Sequence, residues 1–73
     1  MLCDVSKNLA YNLRVERTKK RLSQEKLAEF ADVSMKHITM IETCKVNPSI
    51  NIVCSLAKVL NVTVDKLIAD IEM

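Results

Sequence analysis

A chain of 73 residues, 49% of them hydrophobic, is large enough for one domain with one modest core, expected over about residues 5–70. Zero Gly, one Pro and 3% aromatic residues exclude a β-rich or loop-rich fold and point to helices packed through Leu, Ile, Val and Ala. The net charge of +2 is uneven: residues 1–61 hold ten Lys/Arg against six Asp/Glu, and residues 62–73 hold one against three, so the first part suits a polyanionic partner, although a solvated mixed-charge surface has the same composition.

Asp4 is placed to cap a first helix, with Val5, Leu9, Leu13 and Arg17 on one face at i, i+4, i+8 and i+12. An arginine on a core-facing stripe needs a partner. Glu42 is the candidate, and a phosphate is the alternative. Thr18 to Arg21 (TKKR) closes this helix, where cations suit the negative end of the macrodipole. A phosphate-facing Lys19 or Lys20 is the other reading. Ser23 caps a second helix whose stripe is Leu27, Ala28 and Ala31. Asp32 and Val33 interrupt it, and Ser34 caps a third helix with Ile38 and Ile41 as its stripe. Helices this short do not stand alone in water and must pack on each other. The spacing is that of a helix-turn-helix. Ala28 falls where the two helices cross closest, so a small side chain is required, and Val33 plugs the space under the turn.

Pro48 and Ser49 open a fourth helix with Val53, Leu56, Ala57 and Leu60 at i, i+3, i+4 and i+7. Asn61 can take a left-handed stop. Thr63 caps a fifth helix, with Asp65 in its first turn and Leu67, Ile68 and Ile71 as its apolar residues. The expected fold is all-α, five helices with the helix-turn-helix at the second and third. No repeat, linker or low-complexity segment appears.

With Ile38 and Ile41 turned inward, the third helix presents Met35, Lys36, Thr39 and Met40 outward, and the major groove of DNA is wide enough to admit it. Lys36 can donate to guanine O6/N7 or to a phosphate. Thr39 can bond to base or backbone. Met35 and Met40 can touch thymine methyls; core filling is the rival use of Met, but the two Ile already define the buried side. His37, at the edge of the face, is open to base contact, phosphate contact or plain solvent. Gln24, with the free N–H groups at its helix start, can meet a phosphate. A reading face with no Arg, Asn or Gln leans on methyl contacts and DNA shape for specificity. Phosphate contacts from Gln24, Thr43, Lys45 and nearby N–H groups are expected to supply most of the affinity.

The chain carries no Gly-rich phosphate loop, no nucleophile–His pair at meaningful spacing and no metal set, so an enzyme is not expected. Cys3, Cys44 and Cys54 are odd in number without a C-x-x-C pair, which reads as reduced thiols. Together with His37 they have neither the spacing nor the count for zinc, and no cofactor is expected. No apolar run approaches the ~18 residues of a membrane span. Met1 to Val5 is too short for a signal peptide, so a cytoplasmic protein is expected.

At LSQEKLA (Leu22–Ala28), VS (Val33, Ser34), IE (Ile41, Glu42), NPS (Asn47–Ser49) and LAKVLNV (Leu56–Val62), the sequence resembles the phage repressor and Cro type of helix-turn-helix, the XRE family. The resemblance runs from about Leu9 to Ile68. It implies a phage-repressor-like transcriptional regulator, a repressor, that inserts the helix near Met35–Thr43 into double-stranded DNA and binds paired half-sites as a homodimer. It also implies a buried ion pair between Arg17 and Glu42, a phosphate contact from Gln24, and a backbone-contacting loop holding Lys45 and Asn47. Ser34 and Thr43 complete the expected phosphate set. The family has Gly in the turn, after the third helix and after the fourth. Asp32, Cys44 and Asn61 stand there instead, of which Asp and Asn tolerate a left-handed backbone.

Phe30 stands where the family has a polar residue and is expected to pack on Met1 to Val5 or on a second chain. Val59, Val64, Ile71 and Met73 are more apolar than a monomer needs, which suggests a dimer surface at the fourth and fifth helices. The rival function is an antitoxin or another protein-interaction module, since antitoxins that bind a partner toxin share this fold.

Overall fold

The structure, a computed structural model, describes residues 4–70. Five helices follow in order: α1 (Asp4–Lys19), α2 (Gln24–Ala31), α3 (Met35–Glu42), α4 (Ile50–Leu60) and α5 (Val64–Ile68). No strand occurs among the described residues. This is the expected all-α architecture, with the helix-turn-helix at α2 and α3.

Four of the starts are written in the sequence. Ser23, Ser34, Ser49 and Thr63 are extended. Each side-chain oxygen accepts from the backbone N–H three residues on, at 3.0–3.3 Å. That satisfies one otherwise orphaned donor in each first turn. α1 differs. It begins at Asp4 itself, a residue earlier than a cap there requires. The side chain of Asp4 lies outside the described residues.

The ends of α1 to α4 share one device. Arg21, Asp32, Cys44 and Asn61 all have φ between 57° and 60°. After α1, Leu22 N–H donates to Arg17 O (3.1 Å) and Arg21 N–H to Thr18 O (2.9 Å). The same pair of bonds recurs with Val33 to Ala28, Lys45 to Met40 and Val62 to Ala57. This is the Schellman closure, which normally draws on Gly. A left-handed residue with a Cβ costs about 1–2 kcal/mol. Asp32 and Asn61 bear it best. Cys44 has a compensating contact, its thiol donating to Ser6 O at 3.7 Å. Arg21 is exposed and has none. Arg21→Gly is therefore expected to stabilise the fold by about 0.5–1 kcal/mol, the relieved strain exceeding the added freedom of the unfolded chain. Thermal melting checks it, and an unchanged or lower Tm would show that the left-handed turn costs nothing at this position.

The core takes one stripe from each helix. Leu9 and Leu13 of α1, Leu27, Ala28 and Ala31 of α2, Ile38 and Ile41 of α3, Val53, Leu56, Ala57 and Leu60 of α4, and Leu67 of α5 are buried together. α1 lies against α3 and α5, α2 against α3 and α4, and α4 against α5. Val33 packs on this cluster from below the turn, as expected.

Two expectations need correcting. Val5 is 47% exposed, because the buried positions of the first turn of α1 are the polar Ser6 and Asn8 and apolar burial starts at Leu9. Val59 and Val64 pack partly onto the core, so they offer less free apolar surface than their composition suggests. Ile50, 65% exposed at the start of α4, is the larger apolar group in the open. Phe30 is 59% exposed on α2. Of the Met1 to Val5 segment expected to cover it, Met1 to Cys3 lie outside the described residues, as do the apolar Ile71 and Met73.

Candidate nucleic-acid interface

α3 has eight residues and two sides. Ile38 and Ile41 are essentially inaccessible. On the other side Met35, Lys36 and Thr39 are exposed, and Met40 and His37 are half-buried. His37 Nε2 is enclosed and has no hydrogen-bond partner among the described residues.

Beneath this face lies a hydrogen-bonded chain that joins α1, α2 and α3. Arg17 Nε donates to Glu42 Oε2 at 2.7 Å, and Nη2 donates to Glu42 Oε1 at 3.1 Å. This two-point pairing matches the planar guanidinium to the planar carboxylate. Arg17 Nη1 also donates to Leu22 O (2.8 Å), which ties the pair to the turn after α1. Gln24 Nε2 donates to Glu42 Oε1 at 3.0 Å. Thr39 Oγ1 lies 3.0 Å from Gln24 Oε1 and 3.1 Å from Met35 O. The Gln24 side chain thus bridges the start of α2 to the middle of α3.

The loop after α3 is anchored as well. Thr43 Oγ1 donates back to Thr39 O at 2.8 Å. Ser6 Oγ donates to Asn47 Oδ1, and Cys44 Sγ reaches Ser6 O, so the first turn of α1 holds both ends of the Cys44–Asn47 loop. Thr43, Lys45 and Asn47 are exposed along it, as is Ser34 at the cap of α3. Lys36 and Lys45 form no ion pair among the described residues, so both charges are available to an anion. Lys19 and Lys26 are engaged, with Glu16 (3.3 Å) and Glu29 (3.2 Å). Exposed pairs of this kind, such as Lys26–Glu29, are worth little and exchange readily. At the start of α2, Ser23 takes the N–H of Lys26, and the N–H groups of Gln24 and Glu25 are left for another acceptor. Among the described residues no group of three or more His, Cys, Asp or Glu could hold a metal.

Two polar clusters escaped the sequence reading. The first is the bridge through Gln24. Its signal is Thr39 and Glu42 at i and i+3 on one face of α3. The second is Asn8 and Asn12, at i and i+4 on α1. Asn12 Nδ2 donates to Leu67 O and Ala69 O, both at 2.9 Å, and Asn8 Nδ2 reaches Ile68 O (3.4 Å) and Asp70 Oδ1 (3.1 Å). They satisfy the orphaned carbonyls of α5, a helix of five residues that could not persist unaided.

Known proteins are similar to this chain in sequence and fold. A control protein of Serratia marcescens, C.SmaI, is 37% identical over 65 residues, which is 89% of this chain and 77% of that protein. Among solved structures, the hypothetical transcription factor NHTF from Neisseria superposes with a TM-score of 0.87 at 27% identity, over 90% of this chain and 76% of its own. The restriction-modification controller protein C.AhdI from Aeromonas hydrophila gives 0.81 at 29% identity, over 85% and 94%. An HTH_3 family transcriptional regulator from Vibrio cholerae gives 0.83 at 25%, over 92% of this chain but 39% of that longer one. The family described as helix-turn-helix, HTH_3, matches residues 13–67, which takes in both helices of the motif and the Arg17–Glu42 pair. The chain therefore belongs to the helix-turn-helix family HTH_3, whose phage-repressor-like fold serves sequence-specific DNA-binding transcriptional regulators.

Proposed function

We propose that this protein, a non-catalytic DNA-binding transcriptional regulator, acts as a two-fold dimer that lays α3 in the major groove of each half-site and represses the genes beside it. The observation that carries this reading is the two-sidedness of α3: Ile38 and Ile41 are sealed in the core, while Met35, Lys36 and Thr39 are exposed on the outer side. In this reading Met35, Lys36, His37, Thr39 and Met40 meet base edges. Gln24, Ser34, Thr43, Lys45 and Asn47 meet phosphates and set the register. Arg17 and Glu42 touch no DNA and hold α1 to α3. The exposed Ile50, in a hollow it shares with Val64 and Ile68, supports a dimer surface at α4 and α5.

The likeness to controller proteins extends the reading to targets, the genes of a restriction-modification pair. Such a regulator works in the cytoplasm, and no helix among the described residues is long and apolar enough to cross a membrane.

Selection of bound sequences from a random duplex pool tests the proposal. The expected product is a consensus with inverted half-sites spaced by about one helical turn. A consensus without a repeat removes the dimer. Selection of no consensus, with a protein partner co-purifying instead, moves the function to a protein-interaction module. A site mapping away from any restriction or methyltransferase gene removes the controller role.

A further inference from the structure

Thr39 stands at the end of a hydrogen-bonded chain that starts from a fixed charge. The Arg17 guanidinium carries donors only and donates twice to Glu42, at 2.7 Å and 3.1 Å. A carboxylate held in this way is an acceptor only. The end of the Gln24 amide that lies 3.0 Å from Glu42 Oε1 must therefore be the NH2. Turning the amide over would set its carbonyl oxygen against a carboxylate oxygen, two acceptors with no hydrogen between them. With the NH2 at Glu42, the oxygen of Gln24 faces Thr39 Oγ1 at 3.0 Å, and it can only accept. The Thr39 hydroxyl owns one hydrogen. Its other neighbour within bonding distance, Met35 O at 3.1 Å, is an acceptor too. Whichever of the two receives the hydrogen, it stays inside the protein. What Thr39 turns outward is a lone pair.

We infer that Thr39 reads DNA as a hydrogen-bond acceptor and selects an exocyclic amino group, N6 of adenine or N4 of cytosine. The inference rests on the proposal above that α3 is the groove helix. The discrimination follows from the groove chemistry. Adenine N6 and cytosine N4 are the only donors the bases offer there, while guanine shows N7 and O6, and thymine shows O4 and its methyl. A freely rotating hydroxyl would suit any of the four bases. A hydroxyl whose hydrogen is committed accepts from two of them and meets an acceptor on the other two. The same polarity leaves the second amide hydrogen of Gln24 available, so Gln24 is a donor toward a phosphate while its neighbour Thr39 is an acceptor toward a base.

The test uses the full chain and the operator obtained by selection. Thr39→Val keeps the β-branched shape and puts a methyl in place of the hydroxyl, which removes its bonds to Gln24 and Met35 O together with the outward lone pair. Binding of wild type and Thr39→Val to all single-base variants locates the pair that residue 39 meets. At that pair, adenine is replaced by purine lacking the 6-amino group, or cytosine by 2-pyrimidinone lacking the 4-amino group. A parallel duplex carries 7-deazaadenine, which keeps the amino group and loses the N7 acceptor. Deleting the amino group is expected to weaken wild type about two- to tenfold, the worth of one hydrogen bond, and to leave Thr39→Val unchanged. If wild type instead loses affinity on the 7-deaza duplex and is indifferent to loss of the amino group, Thr39 is donating and the inference is overturned. Equal binding by wild type and variant to every duplex also overturns it, while the consensus itself keeps the groove reading alive. The lack of any consensus overturns the groove reading and this inference together.

Discussion

Glu42→Ala is expected to lower the unfolding free energy by about 3 kcal/mol, the lower end of the range for breaking a buried ion pair. The lower end applies because the Arg17 side chain keeps 15% of its exposure, whereas that of Glu42 keeps 4%. The loss arises from what is left behind. Arg17 would retain only Leu22 O as a partner, with two of its donating groups facing a void. Gln24 Nε2 would lose its acceptor as well. A small domain has about 5–15 kcal/mol in all, so this one change removes a large share. Glu42→Gln keeps the volume and one acceptor oxygen, and should cost less. Urea unfolding of the three proteins gives the ranking. The DNA affinity of Glu42→Ala should follow its folded fraction and keep the wild-type salt slope, because no phosphate contact is removed. A variant with normal stability and a selective loss of operator binding would make Glu42 a DNA contact instead of a strut.

The parts of this fold that were legible in the sequence are those decided locally or by a demand that one residue makes on the rest. The four caps at Ser23, Ser34, Ser49 and Thr63 need only a side-chain oxygen and the next three residues. The stripes of α2, α3 and α4 need only the 3.6-residue period. Arg17 was legible for another reason: a charge on an apolar stripe demands a partner, and Glu42 lay on the neighbouring helix. Gln24 makes no such demand. A glutamine at a helix start is ordinary in water, and its bonds to residues 15 and 18 positions away appear only when α2 and α3 are set at their angle. Arg21 was hidden for the opposite reason. Nothing local favours φ of 58° in arginine, and the turn is imposed by the need to bring Leu22 back onto the core. Ile50 falls outside the Val53–Leu60 stripe, so periodicity set it aside, and its exposure became visible only with α1 and α5 in place beside it.

Ala28→Leu is expected to destabilise the fold by about 1–3 kcal/mol and to impair operator binding beyond that loss. Ala28 is 4% exposed, between Leu27 and Ala31 on the inner side of α2, and α2 packs on both α3 and α4. Three added carbons there have no space to enter, so α2 and α3 must move apart or rotate. The 3.0 Å bonds from Gln24 to Glu42 and to Thr39 span the same contact and would lengthen with it. That movement re-aims Met35, Lys36 and Thr39 while leaving their chemistry intact, so binding falls even among folded molecules. Ala28→Gly provides the control. It costs about 1 kcal/mol through helix propensity but adds no volume, so the crossing closes as before. The two variants therefore lose comparable stability by different routes, and only the leucine should lose affinity at a temperature where both are folded. Circular dichroism melting followed by operator titration well below both midpoints separates the routes. Equal affinity in the two variants, or an unchanged Tm for Ala28→Leu, would place the closest approach of α2 and α3 at another residue.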